Sequence, residues 1–322
     1  MATVTRSTVP KPAEPEVVAD IIVRGGQPIS LPTSLPLAPR KITRDINNHP
    51  ILVLGPPGCG KTSLTNQEEG VLTLQWDKPN DTYGFNEQHV VAWEQMQTWA
   101  TLLTQHALEC ERTGKKFPYR RVQIDGMGTM SRVCTDWTCQ NKLGGILHPN
   151  AEKNYGLGSD VVNRMFTEVI DKFLALPCGV VFVSHVKNKE VETDEGDGAK
   201  IKRLSTDMRG AMEGILVGKC HIVINIGYLP NKARIARIRG DDSYLAKCNL
   251  KGCFMTPDGR YVEEVFLDKV GPEKAWANIM RAFRNEQRWA TVKEMVEMGK
   301  PKAPPPSPPP ASGTAEEEPP LT

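Results

Sequence analysis

The chain has 322 residues, 39% of them hydrophobic, and a formal net charge of +2. That length supports one large α/β domain with a sizeable core, and the near-neutral balance permits contact with a polyanion without arguing for it. No apolar run approaches the roughly 20 residues that span a bilayer, and the start of the chain lacks the apolar stretch of a secretory signal, so the sequence predicts a soluble cytoplasmic protein with no membrane contact.

The shortage of apolar residues lies at the two ends. Residues 1–48 are proline-rich and show no helical or strand period between Thr3 and Pro39, which predicts a largely disordered arm. The stretch from Ala303 to Pro310 and the run Glu316-Glu317-Glu318 predict a disordered, proline-rich acidic tail over 299–322. Residues 49–298 are left as the folded domain. Eight cysteines (59, 110, 134, 139, 178, 220, 248 and 253) fit a reducing compartment. The pairs Cys134/Cys139 and Cys248/Cys253 are just close enough for zinc. No nearby histidine completes either, and ordinary buried thiols are the simpler reading.

In chain order, Ile51 to Leu54 is an all-apolar run of the kind buried on both faces of a parallel sheet. A short helix is predicted from Gly60, and a second strand over Val71 to Trp76. Residues 88–112 place Ala92, Met96, Trp99, Leu103 and Ala107 at helical spacing. Tyr119 to Asp125 reads as a third strand with an acid at its carboxyl end. Ser159 to Leu176 is the clearest helix, capped by Ser159 or Asp160 and striped by Val162, Phe166, Val169, Ile170 and Phe173. Val180 to Val183 is again a buried type of strand. Further strands are predicted over His221–Tyr228, Ala233–Arg239 and Tyr261–Leu267, and a helical region over Lys274–Met298. Apolar strands alternating with helices predict an α/β fold with a mostly parallel sheet.

Gly55-Pro56-Pro57-Gly58-Cys59-Gly60-Lys61-Thr62, followed by Ser63, fits G-x-x-x-x-G-K-[ST] at every fixed position. Its glycines let several backbone N–H groups converge on one anion. Lys61 can then reach the β- and γ-phosphates of ATP, and the Thr62 hydroxyl can ligate Mg²⁺. The preceding strand and following helix supply the context that the motif needs. A P-loop also needs an acid on a neighbouring strand to hold the metal, and Asp125 is placed for it; the plainer reading is a turn aspartate before Gly126. No glutamate follows Asp125, unlike the Asp-Glu pair of most AAA+ motors.

The P-loop, the strand Val180-Val-Phe-Val-Ser-His185, and Asn154-Tyr-Gly156 ahead of the long helix together resemble RecA-like ATPases, in particular a phage group of nucleotide-binding proteins linked to single-strand annealing and recombination. The resemblance covers residues 49 to about 240. It implies that Asp77, after the second strand, activates the attacking water, and that His185 senses the γ-phosphate. It implies a mobile DNA-binding loop over Val186–Asp207, with Lys187, Lys189, Lys200, Lys202 and Arg203, although five interleaved acids read equally as a solvated loop. It also implies that Arg237 and Arg239, on one strand face, reach the ATP of a neighbouring subunit. Plain alternatives stand beside each: a loop aspartate, a strand-capping histidine, a solvated strand face. Single-stranded DNA, further copies of the chain sharing ATP sites, and a single-strand-binding or annealing protein are the partners so implied, in a host cytoplasm if the chain is phage-encoded. A P-loop kinase of nucleotides or small molecules, and a nucleotide-gated binding module without turnover, are the competing readings.

Overall fold

The computed structural model describes residues 22–24, 27–29, 43–77, 86–146, 148, 157–192, 200–230, 232–267 and 275–286. Two compact units divide the chain at residues 42 and 43. In the first, where the sequence shows no period, β1 (Ile22–Arg24) pairs antiparallel with β2 (Gln27–Ile29). The rest of the predicted arm up to residue 42, and the tail over 299–322, lie outside the described residues.

The second unit is built on β3 (Ile51–Gly55), β4 (Val71–Gln75), β5 (Glu87–His89), β6 (Arg121–Asp125), β7 (Gly179–Glu192), β8 (Lys200–Thr206), β9 (Ile222–Tyr228), β10 (Arg234–Arg237), β11 (Lys247–Cys248) and β12 (Glu264–Phe266). Their order across the sheet is β12-β10-β9-β3-β7-β6-β4-β5. From β9 to β5 every neighbouring pair is parallel, whereas β10 and β12 extend the sheet antiparallel. The fold is thus the expected α/β class: a mostly parallel sheet flanked by helices.

Helices α1 (Lys61–Thr65), α2 (Trp93–Thr113), α3 (Met127–Asn141), α4 (Leu157–Leu174), α5 (Gly210–Lys219) and α6 (Ala275–Arg284) cover it. Alternation along each strand separates two cores. Leu52, Leu54, Ile124 and Phe182 meet the buried stripes of α2, α3, α4 and α5 on one face. Ile51, Val53, Val181, Val183 and Ile224 meet α1 and α6 on the other. Both faces are dry, which is why these strands read as continuous apolar runs. Among the described residues no helix is long and apolar enough to cross a membrane.

Several boundaries differ from the sequence reading. Helix α2 starts at Trp93 because Glu87–His89 is taken up as an edge strand against β4. Helix α4 begins at Leu157, so Ser159 and Asp160 lie inside its first turn rather than capping it. The polar stretch after His185 is not an open loop. Val186–Glu192 continues β7 and pairs antiparallel with β8, setting Glu190 opposite Lys202 and Glu192 opposite Lys200, so two of the five acids that seemed to oppose DNA sit across from bases in a ladder. Residues 193–199, with the acids Asp194, Glu195 and Asp197, lie outside the described residues, as does Asn154-Tyr-Gly156.

Candidate nucleotide site

Register brings the site together at the carboxyl edge of the parallel strands. Gly55 at the end of β3 pairs with His185 on β7, Asp125 ends β6 beside Val183, and Gln75 ends β4 beside Asp125. The acid strand is not next to the P-loop strand, as the sequence reading assumed. Strand β7 lies between them, and its last core position delivers His185 into the gap.

The P-loop curls as its glycines allow. Gly58 and Gly60 have φ of 74° and 81°, a left-handed backbone that side chains with a Cβ rarely adopt. At Gly55 a Cβ would meet the Cys59 sulfur at 2.7 Å, so the loop closes on itself only with glycine there. The ammonium of Lys61 donates to the carbonyls of Gly55 at 3.0 Å and Pro56 at 2.9 Å. It also lies 3.1 Å from His185 Nδ1. An ammonium has only donors, so Nδ1 is the acceptor in that contact and the ring proton sits on Nε2. His185 Nε2 in turn faces the Asp77 carboxylate at 3.8 Å, beyond a full hydrogen bond. Lys61, His185 and Asp77 therefore form one line across the cavity.

A second line carries two oxygen donors. The Thr62 hydroxyl donates to Asp125 Oδ2 at 2.5 Å. Two hard oxygen donors meeting at one end of a cavity suit Mg²⁺. Burial pushes the Asp125 carboxyl above the usual carboxylate range, opposed by Thr62 and Lys61, and a divalent cation would relieve that cost. Burial also pulls the Lys61 ammonium below the usual lysine range, against the opposing influence of Cys59 and of Asp125, Asp207 and Asp77. Asp77 goes the other way: His185 foremost holds it below the usual range, opposed by partial burial and helped by Thr129. It stays ionised and acceptor-only at neutral pH, as a group that orients water must.

These residues enclose a cavity of roughly 270 Å³ lined by Gly58, Lys61, Gln75, Asp77, Asp125 and His185, with Gly60, Thr62 and Ser63 on its floor. Pro56 contributes its carbonyl to Lys61, and Cys59 packs beneath at 1% exposure. Pro57 is part of the same turn and is exposed.

Arg237 and Arg239 are placed elsewhere. Strand β10 ends at Arg237, so Arg239 lies beyond it. Arg237 lies over the Tyr244 ring at 4.7 Å and pairs with Glu264 at 3.4 Å. Arg239 lies over Tyr261 at 4.0 Å and donates to the Cys248 carbonyl at 3.2 Å. The arginine at the P-loop is Arg234, whose Nη1 donates to the Cys59 carbonyl at 3.2 Å.

Sequence reasoning also missed Ser184 and Asp207. Asp207 follows β8, accepts from the Ser184 hydroxyl at 2.7 Å, and its N–H donates to the His185 carbonyl at 3.0 Å. Its carboxylate occupies the space a side chain on Gly128 would need, with Oδ2 2.0 Å from where a Cβ would stand. Nothing local in the sequence marks Asp207, because its partners are 23 and 79 residues away. Beyond it lies a groove of roughly 760 Å³ lined by Arg132, His148, Lys187, Asp207, Arg209 and Glu213.

The eight cysteines are free thiols, seven of them buried. Burial pushes Cys134 and Cys220 up to about 12, which leaves them unreactive. Cys134 and Cys139 turn out to lie along the buried side of α3. No curated protein matches the chain. A family model described as the AAA domain matches residues 47–249, a span that holds the P-loop, both aspartates, His185 and the arginines, and the chain belongs to that family of nucleotide-binding P-loop ATPases.

Proposed function

We propose that the chain is a RecA-like, Mg²⁺-dependent ATPase of phage type that acts on single-stranded DNA in homologous recombination or repair. The observation that supports it best is the convergence of Lys61, Thr62, Asp125, His185 and Asp77 on one cavity, with His185 tied through its own backbone and Ser184 to Asp207 at the rim of a second, cation-bearing groove.

Lys61 holds the β- and γ-phosphates and withdraws from the Gly55 and Pro56 carbonyls to do so. Thr62 and Asp125 would hold magnesium, which would supply charge neutralisation at the γ-phosphate. Asp77 orients the attacking water, and its low proton affinity keeps it ready to accept a hydrogen bond. His185 spans Lys61 and Asp77, so it registers whether a γ-phosphate stands between them. The hairpin of β7 and β8 continues directly from His185, so a change at that ring is passed to Lys187 and Asp207 in the groove. There Lys187, Arg132 and Arg209 offer contacts to a phosphodiester backbone.

ATP hydrolysis measured with and without single-stranded DNA, across a salt series, tests the reading. Single-stranded DNA should raise the rate, and the stimulation should fade as salt rises, because counterion release weakens the DNA contacts. A rate indifferent to DNA at low salt would leave the ATPase and remove the recombination role. A phosphoryl acceptor other than water would turn the site into a kinase.

A further inference from the structure

The structure assigns to Arg234 the task of fixing, within its own subunit, the peptide plane that aims the Gly60 N–H into the phosphate cradle. The inference rests on the ATP-site reading above and deepens it. Strand β10 runs antiparallel to β9 and places Arg234 opposite Tyr228, at the phosphate end of the sheet. From there its guanidinium donates to the Cys59 carbonyl at 3.2 Å. The Cys59 carbonyl and the Gly60 N–H belong to one planar, trans peptide unit, so they point in opposite directions. Holding the oxygen outward on the guanidinium holds the N–H inward.

The charge adds to the geometry. A cation on a peptide oxygen polarises the unit and makes its N–H a stronger donor to an anion. Gly60 is fitted to this arrangement twice over. Its φ of 81° favours glycine, and a Cβ there would stand 2.8 Å from Arg234 Nη1. Arg234 does not line the nucleotide cavity. It is a positioning residue, acting through the loop from behind. Lysine is a poor substitute, since it lacks the planar fork whose direction sets the carbonyl.

The β-phosphate is the group enclosed by the P-loop amides, and ATP and ADP share it. Arg234→Ala should therefore weaken ATP and ADP alike, by about tenfold, and leave kcat at saturating ATP within about threefold. AMP, without a β-phosphate, should bind as it does to the native protein. Arg234→Lys should recover less than half of the loss, and added guanidinium ion should partly rescue Arg234→Ala, which a purely structural defect would not allow. The measurements are calorimetric titrations of MgATP, MgADP and AMP into the full chain, with steady-state hydrolysis alongside. If the native protein binds MgADP and Arg234→Ala and Arg234→Lys bind it equally well, the assignment to Arg234 is wrong while the ATP site stands. If the native protein binds neither nucleotide, the site reading falls and this inference with it. Should Arg234→Ala not fold, Arg234→Lys with unchanged ADP affinity overturns the inference by itself.

Discussion

Strand β6 carries a buried charge at each end, and the two ends have opposite fates. Arg121, at its start, is wholly buried. Its guanidinium donates to the Thr65 carbonyl at 2.9 Å, to Asn47 and to the Glu68 carboxylate, and it lies over the Trp276 ring at 4.5 Å. Burial pulls its pKa down to about 10, and Glu68 opposes that. Asp125, at the other end, is nearly as buried but is bonded by one hydroxyl, that of Thr62, and opens onto the cavity shared with Lys61, Asp77 and His185. Burial of a charge does not by itself mark a functional site. Nor does incomplete hydrogen bonding, since Arg121 Nε has no partner either; what distinguishes Asp125 is that its open side faces other ionisable groups across a cavity.

The largest expected effect separates the two ends. Arg121→Ala should cost about 3–5 kcal/mol of folding stability, because it empties a closed site and leaves the Glu68 carboxylate only the half-exposed Arg120, at 3.6 Å. Urea unfolding measures it. Lys61→Ala should lower ATP hydrolysis by ~100-fold or more, as expected when a preorganised cation at a developing charge is removed, with an unfolding midpoint close to the native one. If Lys61→Ala unfolds the chain as Arg121→Ala does, the contrast between a structural and a functional end disappears.

Asp125→Asn probes the open end more finely. Folding raises this carboxyl's pKa. Between its unfolded value and the raised one, the folded chain holds more protons than the unfolded chain, so stability falls as pH climbs through that window. The native protein therefore carries a penalty at neutral pH that Asp125→Asn lacks. The variant should melt at or above the native temperature while hydrolysis falls about 10- to 100-fold, the usual cost of losing a group that would hold the metal. A clear loss of stability at pH 7 would show that Asp125, like Arg121, contributes to the fold.

The same contrast explains what the sequence revealed. The P-loop was legible because its spacing, preceding strand and following helix are all local, and Asp125 because an acid ended a strand with Val122 and Ile124 at alternate apolar positions. The insertion of β7 between β3 and β6 was hidden, since strand order is decided by packing among distant segments. Helix α3 was obscured by a start at Gly126, whose φ of 90° suits a left-handed turn, and α5 by its three glycines. The β7–β8 hairpin was missed because its charges alternate in sign and resemble a solvated loop until the partner strand sets Glu190 against Lys202. Arg234 and Asp207 act on residues far away in sequence, on the Cys59 carbonyl and on Ser184, and spacing carries no trace of either.

The smallest expected effect concerns Arg237 and Arg239. The resemblance to RecA-like ATPases would send both into a neighbour's ATP site, yet each rests on a tyrosine of its own chain, and Arg237 also has Glu264. A cation over an aromatic face at a partly exposed position is worth about 0.5–1 kcal/mol, so Arg237→Ala/Arg239→Ala should lower stability by about 1–2 kcal/mol and change hydrolysis less than Arg234→Ala does. Mixing that double variant with Lys61→Ala subunits discriminates between the two roles. A finger acting between subunits would restore activity, because a native arginine pair from the Lys61→Ala subunit would complete the intact P-loop of its neighbour. With both arginines held on their tyrosines the mixture should do no better than the sum of its parts. Recovery above that sum would mean that the stacks open on assembly and that the antiparallel extension of the sheet, not only its parallel centre, belongs to the reacting site.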